Sequence, residues 1–259
     1  MKDLPFRVGT TSYIIPAEIL PNAHYLAGKV RDIELILFEV DNGPNNLPSE
    51  EVTGELSQIA SQFDLTYTVH LPLDLKLGED GSEQDQSLVK ARRVIECTRR
   101  LDPWAYVLHL DGKSVRTSTD TVRIKRWQDQ SVRALEIVSV WAGGPEKLAV
   151  ENLETYPLDF IQPVLDRIPV SRCVDIGHLW LDGHDPIPYL QAALPCTRVI
   201  HMHGLAERDH RSLAFMPREK VKAVWEELLR LKYQGVMTLE IFSEEDFLSS
   251  LKVIEKLSR

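Results

Sequence analysis

The chain has 259 residues, of which 43% are hydrophobic, and its 39 acidic and 30 basic residues give a formal charge of −9. This composition excludes a disordered chain, and the length is close to the roughly 250 residues of a single barrel of eight βα units. The three cysteines lack CxxC spacing, which argues against a disulfide framework or a cysteine-ligated zinc site and favours a reducing, cytoplasmic compartment.

Short β-rich runs alternate with longer segments of helical periodicity, and no low-complexity linker divides the chain. In chain order, the predicted strands are Arg7–Tyr13, Asp32–Val40, Thr66–Pro72, Tyr106–Gly112, Lys147–Glu154, Ser171–Trp180, Thr197–Gly204 and Val236–Ser243. The clearest helical patterns begin near Leu88, Arg123 and Val221 and end at Asp102-Pro103, Gly143-Gly144 and Gly235.

Eight strands, nearly all followed by a helix, are typical of βα units on a parallel sheet. A doubly wound open sheet is the alternative, but no GxGxxG or GxxxxGK[ST] sequence follows any strand. The sequence therefore predicts an α/β fold, a single (β/α)8 TIM barrel spanning residues 1–259.

Neither a membrane nor a nucleic acid is expected as a partner. No apolar run is long enough to span a bilayer, and the N-terminal residues lack the apolar stretch of a signal peptide. The densest basic cluster, Arg123, Lys125 and Arg126, falls within a helical pattern and is interpreted as a solvated face. Because binding to a phosphate backbone normally requires a basic surface, nucleic acid is disfavoured.

Ionisable residues recur at the C-terminal ends of the predicted strands, where the active sites of βα barrels lie. They are His70, His109, Glu151, Asp175, His178, His201, His203 and Glu240. A histidine in an apolar strand can be a hydrogen-bonded core residue, but a carboxylate such as Glu151 or Glu240 must be paired or metal-bound. Nitrogen and oxygen ligands without thiolates suit Zn²⁺, Mn²⁺ or Fe²⁺.

Other catalytic chemistries have less support. GTTSY is not a GxSxG elbow, and no histidine is placed by the sequence to activate Cys97 or Cys196. Thr11 and Tyr13, at the end of strand one, are candidates for substrate binding, with ordinary β-propensity as the other interpretation. Glu39, His203 and Asp74 are candidates for substrate binding or for supporting the metal ligands, and a purely structural role is the alternative.

These motifs resemble the xylose-isomerase-like barrel superfamily, which includes sugar isomerases and epimerases and the endonuclease IV type of DNA-repair enzyme. The resemblance rests on LAVENLE, VDIGH, VIHMHG and TLEIF, on predicted strands five to eight. It implies that Glu151, Asp175, His201 and Glu240 form the shared single-metal set. The endonuclease-like branch adds histidines that bring two or three metals, matched here by His70, His109, His178 and His210.

The loop after strand seven departs from that branch in one respect. The endonuclease-type loop has a spacer between its aspartate and its histidine, whereas Asp209 and His210 are adjacent here. This departure leaves open whether Asp209 is a metal ligand and whether a third metal site is fully occupied.

Within the superfamily, the blocks GTTSYIIPAEILPN, YTVHLPLDLKLG and HMHGLAERDHRSL resemble the cobamide-remodelling phosphodiesterase family. Members of that family hydrolyse the phosphodiester in the nucleotide loop of a cobamide and release cobinamide phosphate and a base riboside. The resemblance implies a small-molecule corrinoid substrate and two or three divalent ions, with Zn²⁺ or Mn²⁺ as the expected metals. It also implies catalytic roles for Glu151, which would bridge two ions, for Glu240 and for His178.

Three other functions stay open. A one-metal sugar isomerase or epimerase would use Glu151 and Glu240 to shuttle a proton. This function would give His70, His109 and His210 no common role. An endonuclease acting at abasic sites would need basic or aromatic loops, whereas DNGPNNLPSEE after strand two is acidic and polar. A non-catalytic corrinoid carrier would need an Asp-x-His-x-x-Gly pattern, which the sequence lacks.

Overall fold

A computed structural model describes residues 4–39 and 45–258. Eight parallel strands form a closed barrel in which each strand pairs with its neighbours in chain order and β8 returns to β1. The strands are β1 (Arg7–Thr11), β2 (Asp32–Ile36), β3 (Thr66–His70), β4 (Tyr106–Leu108), β5 (Leu148–Glu151), β6 (Ser171–Asp175), β7 (Thr197–Met202) and β8 (Val236–Leu239). The predicted TIM barrel is confirmed.

Helices follow the strands around the outside of the barrel. They are α1 (Ile19–Leu26), α2 (Glu50–Phe63), α3 (Gln86–Thr98), α4 (Thr121–Ala142), α5 (Gln162–Leu165), α6 (Ile176–Leu181), α7 (Pro186–Ala193), α8 (Arg218–Arg230) and α9 (Glu244–Leu257). The three clearest predicted helices are α3, α4 and α8. Gly143 ends α4 in the left-handed region, with φ of 90°, as expected for a glycine after a helix.

The core has two parts because side chains of a strand alternate between the two faces of the barrel wall. Leu108, Leu148 and Val174 belong to the large cluster packed between the strands and the helices. Ala149 and Cys173 belong to a small separate cluster, which we assign to the inside of the barrel. The small interior residues leave the strand ends free to point polar groups into the barrel mouth.

The predicted strand Ser171–Trp180 is wrong in its second half. β6 ends at Asp175, and residues 176–181 form helix α6. The Asp175 carboxylate accepts a hydrogen bond from the main-chain N–H of His178 at 2.6 Å and so caps the helix. His178 therefore lies in the first turn of a helix, although the apolar run IGHLW is typical of a buried strand.

Several other predicted strands end earlier in the structure than in the sequence interpretation. His109, His203 and Glu240 lie just beyond β4, β7 and β8, so they belong to the βα loops. Val40, the predicted end of β2, lies outside the described residues. Among the residues that are described, none of the helices combines the length and apolar character needed to cross a membrane.

Candidate metal centre

Four buried ligand residues meet at the C-terminal mouth of the barrel, and we call them the central group. Its members are Glu151, Asp175, His201 and Glu240, whose ligand atoms all lie within 4.8 Å of one another. His201 Nδ1 lies 3.3 Å from Glu151 Oε1, 3.2 Å from Glu240 Oε2 and 3.8 Å from Asp175 Oδ2.

The central group fits a divalent cation. Among the described residues, Asp175 Oδ2, His201 Nδ1 and Glu240 Oε2 are buried without a hydrogen-bond partner. Buried polar atoms are costly when unpaired, and a nitrogen lone pair facing carboxylates needs a proton or a cation between them. A metal ion would satisfy all three atoms at once.

Glu34 on β2 orients the histidine of the central group. Its Oε2 lies 2.9 Å from His201 Nε2, and both side chains are fully buried. The carboxylate accepts the Nε2–H hydrogen bond, which leaves Nδ1 of the neutral ring free to face the other three ligands. Glu34 is a functional candidate that the sequence interpretation missed, although DIELI also carries a carboxylate within an apolar strand.

Substituting Glu34 by alanine should therefore weaken metal binding without removing a ligand. We expect affinity for Zn²⁺ or Mn²⁺ to fall about 10- to 100-fold, as for other groups that orient ligating histidines. Glu34→Gln keeps a side-chain oxygen that can accept from Nε2–H and should lose less affinity. Metal titration by calorimetry measures both variants, and equal affinity for wild type and Glu34→Ala would contradict this role.

His70, His109 and Glu151 form a second set of ligands, which we call the outer group. The Nε2 atoms of His70 and His109 lie 3.5 and 3.2 Å from Glu151 Oε2. Glu151 thus turns Oε1 toward His201 and Oε2 toward the outer group. This single buried carboxylate is placed to bridge two cations.

Each histidine of the outer group has its second ring nitrogen held by an oxygen. His109 Nδ1 lies 3.1 Å from Asp74 Oδ1, and His70 Nδ1 lies 2.9 Å from the carbonyl oxygen of Leu71. Both contacts require Nδ1–H in the neutral ring, so Nε2 is the free ligand atom. Asp74 is thus placed as a support for a ligand, one of the two roles that its sequence position allows.

His178, His203 and His210 form a third set, the loop group. His178 Nδ1 donates to the carbonyl oxygen of Asn152 at 3.0 Å, and Asp209 Oδ1 lies 3.1 Å from His210 Nδ1. In both rings, Nε2 is therefore the atom that can bind a metal ion. Asp209 therefore supports His210 in this arrangement.

His203 differs from the other histidines because its Nδ1 accepts a hydrogen bond. The main-chain N–H of His210 donates to it at 3.0 Å, so the neutral ring carries its proton on Nε2. That Nε2 atom is buried, lies 3.5 Å from Asp175 Oδ1 and has no hydrogen-bond partner in the described part of the chain. His203 is thus arranged as a hydrogen-bond donor at the edge of the centre.

Two glycines make this arrangement possible. A Cβ on Gly177 would lie 2.2 Å from the His203 ring, so α6 can pack against the imidazole only with glycine there. A Cβ on Gly204 would lie 2.0 Å from the carbonyl oxygen of Ser212. Gly204 pairs with Arg211 in an antiparallel bridge, which folds the loop back and brings His210 onto His203, with ring centroids 4.3 Å apart.

The buried charges hold each other in the ionised state. Burial alone would raise the pKa of Glu151, but His201 and His109 keep it well below its usual range. Burial alone would lower the pKa of His109, but Glu151 and Asp74 outweigh it and raise the pKa to about 10. His210 behaves in the same way beside Glu240, with a pKa of about 9. When no metal is bound, the protonated histidines therefore balance the negative charge of the buried carboxylates.

The structure brings all eight predicted metal ligands together, whereas Thr11 and Glu39, two of the four predicted substrate-binding residues, have side chains engaged with other groups of the protein. The Thr11 hydroxyl is fully buried and donates to the carbonyl oxygen of Ile241. The Glu39 carboxylate pairs with Lys90 and Arg93 of α3, an arrangement that suits packing of the helix. Tyr13 is 36% exposed at the rim of the mouth, in edge contact with Phe38.

Comparison with known proteins finds solved structures that share the fold of this chain. Among solved structures, a D-tagatose 3-epimerase-like protein has 16% identity and a TM-score of 0.74, with 98% of this chain and 97% of that chain covered. Endonuclease IV from Thermus thermophilus has 18% identity and a TM-score of 0.69, with 97% and 98% covered. The 3-keto-D-glucoside 4-epimerase YcjR from E. coli has 16% identity and a TM-score of 0.67, with 98% and 99% covered.

At these low sequence identities, the structural similarity shows only that the proteins share a fold. A search of curated protein sequences finds no match. The family model described as "Xylose isomerase-like TIM barrel" matches residues 29–257, nearly the whole chain. The chain therefore belongs to the xylose isomerase-like TIM barrel family.

Proposed function

We propose that the protein is a metal-dependent phosphodiesterase. The observation that carries the proposal is the position of Glu151, whose two oxygens face two different sets of ligands. A one-metal enzyme needs only the central group, whereas His70 and His109 converge on the far oxygen of Glu151. Two adjacent divalent ions are the usual arrangement for displacement at phosphorus.

The residues divide into ligands and supporting groups. The central and outer groups would each hold a divalent ion, and His178 and His210 could contribute to a third. The nitrogen and oxygen donor atoms of these residues suit Zn²⁺ or Mn²⁺. Bound ions would supply a water nucleophile near neutral pH and offset charge on the phosphoryl oxygens. Glu34 and Asp74 fix histidine orientation, and His203 Nε2–H can donate a hydrogen bond at the edge of the centre.

The substrate that we propose is a cobamide, cleaved in its nucleotide loop, as the resemblance of the three sequence blocks implies. Exposed apolar side chains in the loops at the C-terminal end of the barrel support a bulky, partly apolar substrate. They lie after β1, β2, β3, β5 and β8, and they are Tyr13, Phe38, Leu73, Leu158 and Phe242. Phe242 lies beside the loop group, with its ring centroid 5.5 Å from that of His210, and Tyr13 packs against Phe38.

A direct test offers the metal-loaded protein three substrates in parallel: an adenosylated cobamide, a duplex with an abasic site and a keto sugar. We expect consumption of the cobamide and release of cobinamide phosphate and a base riboside, measured by chromatography and mass spectrometry. Exclusive cleavage of the duplex, or exclusive conversion of the sugar, would overturn the cobamide assignment. Glu240→Gln should abolish the reaction, and hydrolysis that survives this change would overturn the metal mechanism.

His70 separates the phosphodiesterase from a one-metal epimerase. His70→Ala removes a ligand of the outer group and leaves the central group intact, so we expect kcat/KM for diester hydrolysis to fall about 100-fold or more. Metal content should fall by about one ion per chain. His24→Ala, on the exposed side of α1, is the matched control. Unchanged activity and metal content in His70→Ala would contradict the proposal.

A sugar epimerase is the second candidate, and the structural neighbours favour it over a cobamide phosphodiesterase, because the solved structures that share this fold include several sugar epimerases. The central group contains two carboxylates, Glu151 and Glu240, which lie 3.3 and 3.2 Å from the same atom, His201 Nδ1. Such a pair could remove and return a proton on opposite faces of a sugar. Epimerisation of a keto sugar by wild type and by His70→Ala at equal rates would favour this function.

A further inference from the structure

The cavity above the metal centre has a cationic wall formed by the loop between β4 and α4. Lys113 and Arg116 of this loop line the same cavity as Glu151, His178 and His210. The two cations differ in their partners. Lys113 Nζ lies 3.1 Å from Asp74 Oδ2, so its charge is largely neutralised by a neighbour.

Arg116 is held in place without a carboxylate. Its Nη1 donates to the Thr155 hydroxyl, and its guanidinium carbon lies 5.2 Å from the centroid of the Tyr156 ring. Within residues 4–39 and 45–258, no aspartate or glutamate forms an ion pair with it. Thr155 itself has φ of 64°, a left-handed conformation that is uncommon for a residue with a branched Cβ. The loop after β5 thus fixes a guanidinium that forms no ion pair with a carboxylate of the described residues.

The Tyr156 hydroxyl is a second unsatisfied donor on this wall. The oxygen is buried and has no hydrogen-bond partner among the described residues. The ring packs against Phe160, with centroids 4.9 Å apart, and the missing side chain of Gly112 leaves room for it, since a Cβ there would lie 2.9 Å from Tyr156 Cε1. Burial raises the pKa of the phenol, so it remains a donor at neutral pH.

We propose that Arg116 and the Tyr156 hydroxyl bind the non-bridging oxygens of a phosphate group on the substrate and make the site selective for phosphate esters over neutral sugars. The inference rests on the proposed function and extends it to the residues that recognise the anion. A guanidinium without a carboxylate partner and an O–H donor, on residues that line the same cavity, are groups suited to binding phosphate oxygens. A neutral sugar would leave the guanidinium without a counter-charge.

The test is phosphate binding, which does not depend on turnover. Inorganic phosphate is titrated by calorimetry into metal-loaded wild type, Arg116→Ala, Arg116→Lys and Tyr156→Phe, with metal content measured for each protein. We expect Arg116→Ala to weaken phosphate binding at least about tenfold, and Arg116→Lys and Tyr156→Phe to weaken it less, because a charge-assisted bond contributes more than a neutral one. Arg123→Ala, an exposed position on α4, should bind like wild type.

Phosphate affinity of Arg116→Ala within twofold of wild type, at equal metal content, would overturn the inference. The proposed function can fail separately. If phosphate binding depends on Arg116 but no phosphodiester is hydrolysed, the anion site stands and the substrate becomes a phosphorylated sugar. If a cobamide is hydrolysed and Arg116→Ala leaves both phosphate binding and KM unchanged, the function stands and the anion site does not.

Discussion

Glu151→Gln should remove at least one metal ion per chain and nearly abolish hydrolysis. Glutamine has nearly the same shape, but it offers one oxygen and an NH₂ group where Glu151 turns oxygens toward both the central and the outer group. One set of ligands would then face a donor instead of a charged acceptor. We expect kcat/KM to fall by about three orders of magnitude or more, since loss of a bridging ligand removes several kcal/mol of charge stabilisation.

The control for this variant is Glu136→Gln, on the exposed side of α4, which should keep wild-type activity and metal content. Circular dichroism checks that Glu151→Gln is folded. A folded Glu151→Gln protein that kept two metal ions and more than about a tenth of wild-type activity would contradict the bridging role.

Metal binding should release protons and tighten as the pH rises. Without metal, His109 and His210 have pKa values of about 10 and about 9, so both rings are protonated at neutral pH. A ligating imidazole must give up that proton, and each proton released strengthens apparent affinity by up to about tenfold per pH unit. Calorimetric titration with Zn²⁺ in two buffers of different ionisation enthalpy measures the number of protons released, which we expect to be at least two, because the groups around His201 also raise the pKa of that ring despite its burial.

The stability of the metal-free protein should change with pH in the opposite direction. A histidine whose pKa is raised by folding contributes stability below its unfolded pKa of about 6.5 and loses it as the pH rises through the folded value. The metal-free protein should therefore be more stable at pH 6 than at pH 9.5. Metal ions at a thousandfold excess over their Kd would add about 4 kcal/mol to the free energy of unfolding, which corresponds to a rise in Tm of roughly 8–16 °C. Metal binding without proton release would contradict these pKa values.

Much of the fold could be predicted because its signals are local. Alternation of short apolar runs with helical periodicity predicts the strands in their correct order, and Gly143 marks the end of α4 as a glycine at that position should. The β6–α6 boundary could not be placed in the same way. The apolar run IGHLW suits either element, and the capping hydrogen bond from His178 N–H to Asp175 decides it.

The ligands could be predicted for a related reason. A carboxylate in an apolar strand, such as Glu151, requires a partner, and the barrel places every strand end at one mouth. The supporting residues depend on contacts that no local pattern records. Glu34 meets His201 across 167 positions of sequence, and His203 meets the His210 main chain only because the loop doubles back at Gly204.

The number of metal ions bound per chain tests the central claim most directly. The protein is loaded with Zn²⁺ or Mn²⁺, freed of loosely bound ions by gel filtration and analysed by inductively coupled plasma mass spectrometry against protein concentration. A centre in which Glu151 bridges two ligand groups predicts two or three ions per chain. A single ion per chain would contradict it and would leave His70 and His109 without the role assigned to them.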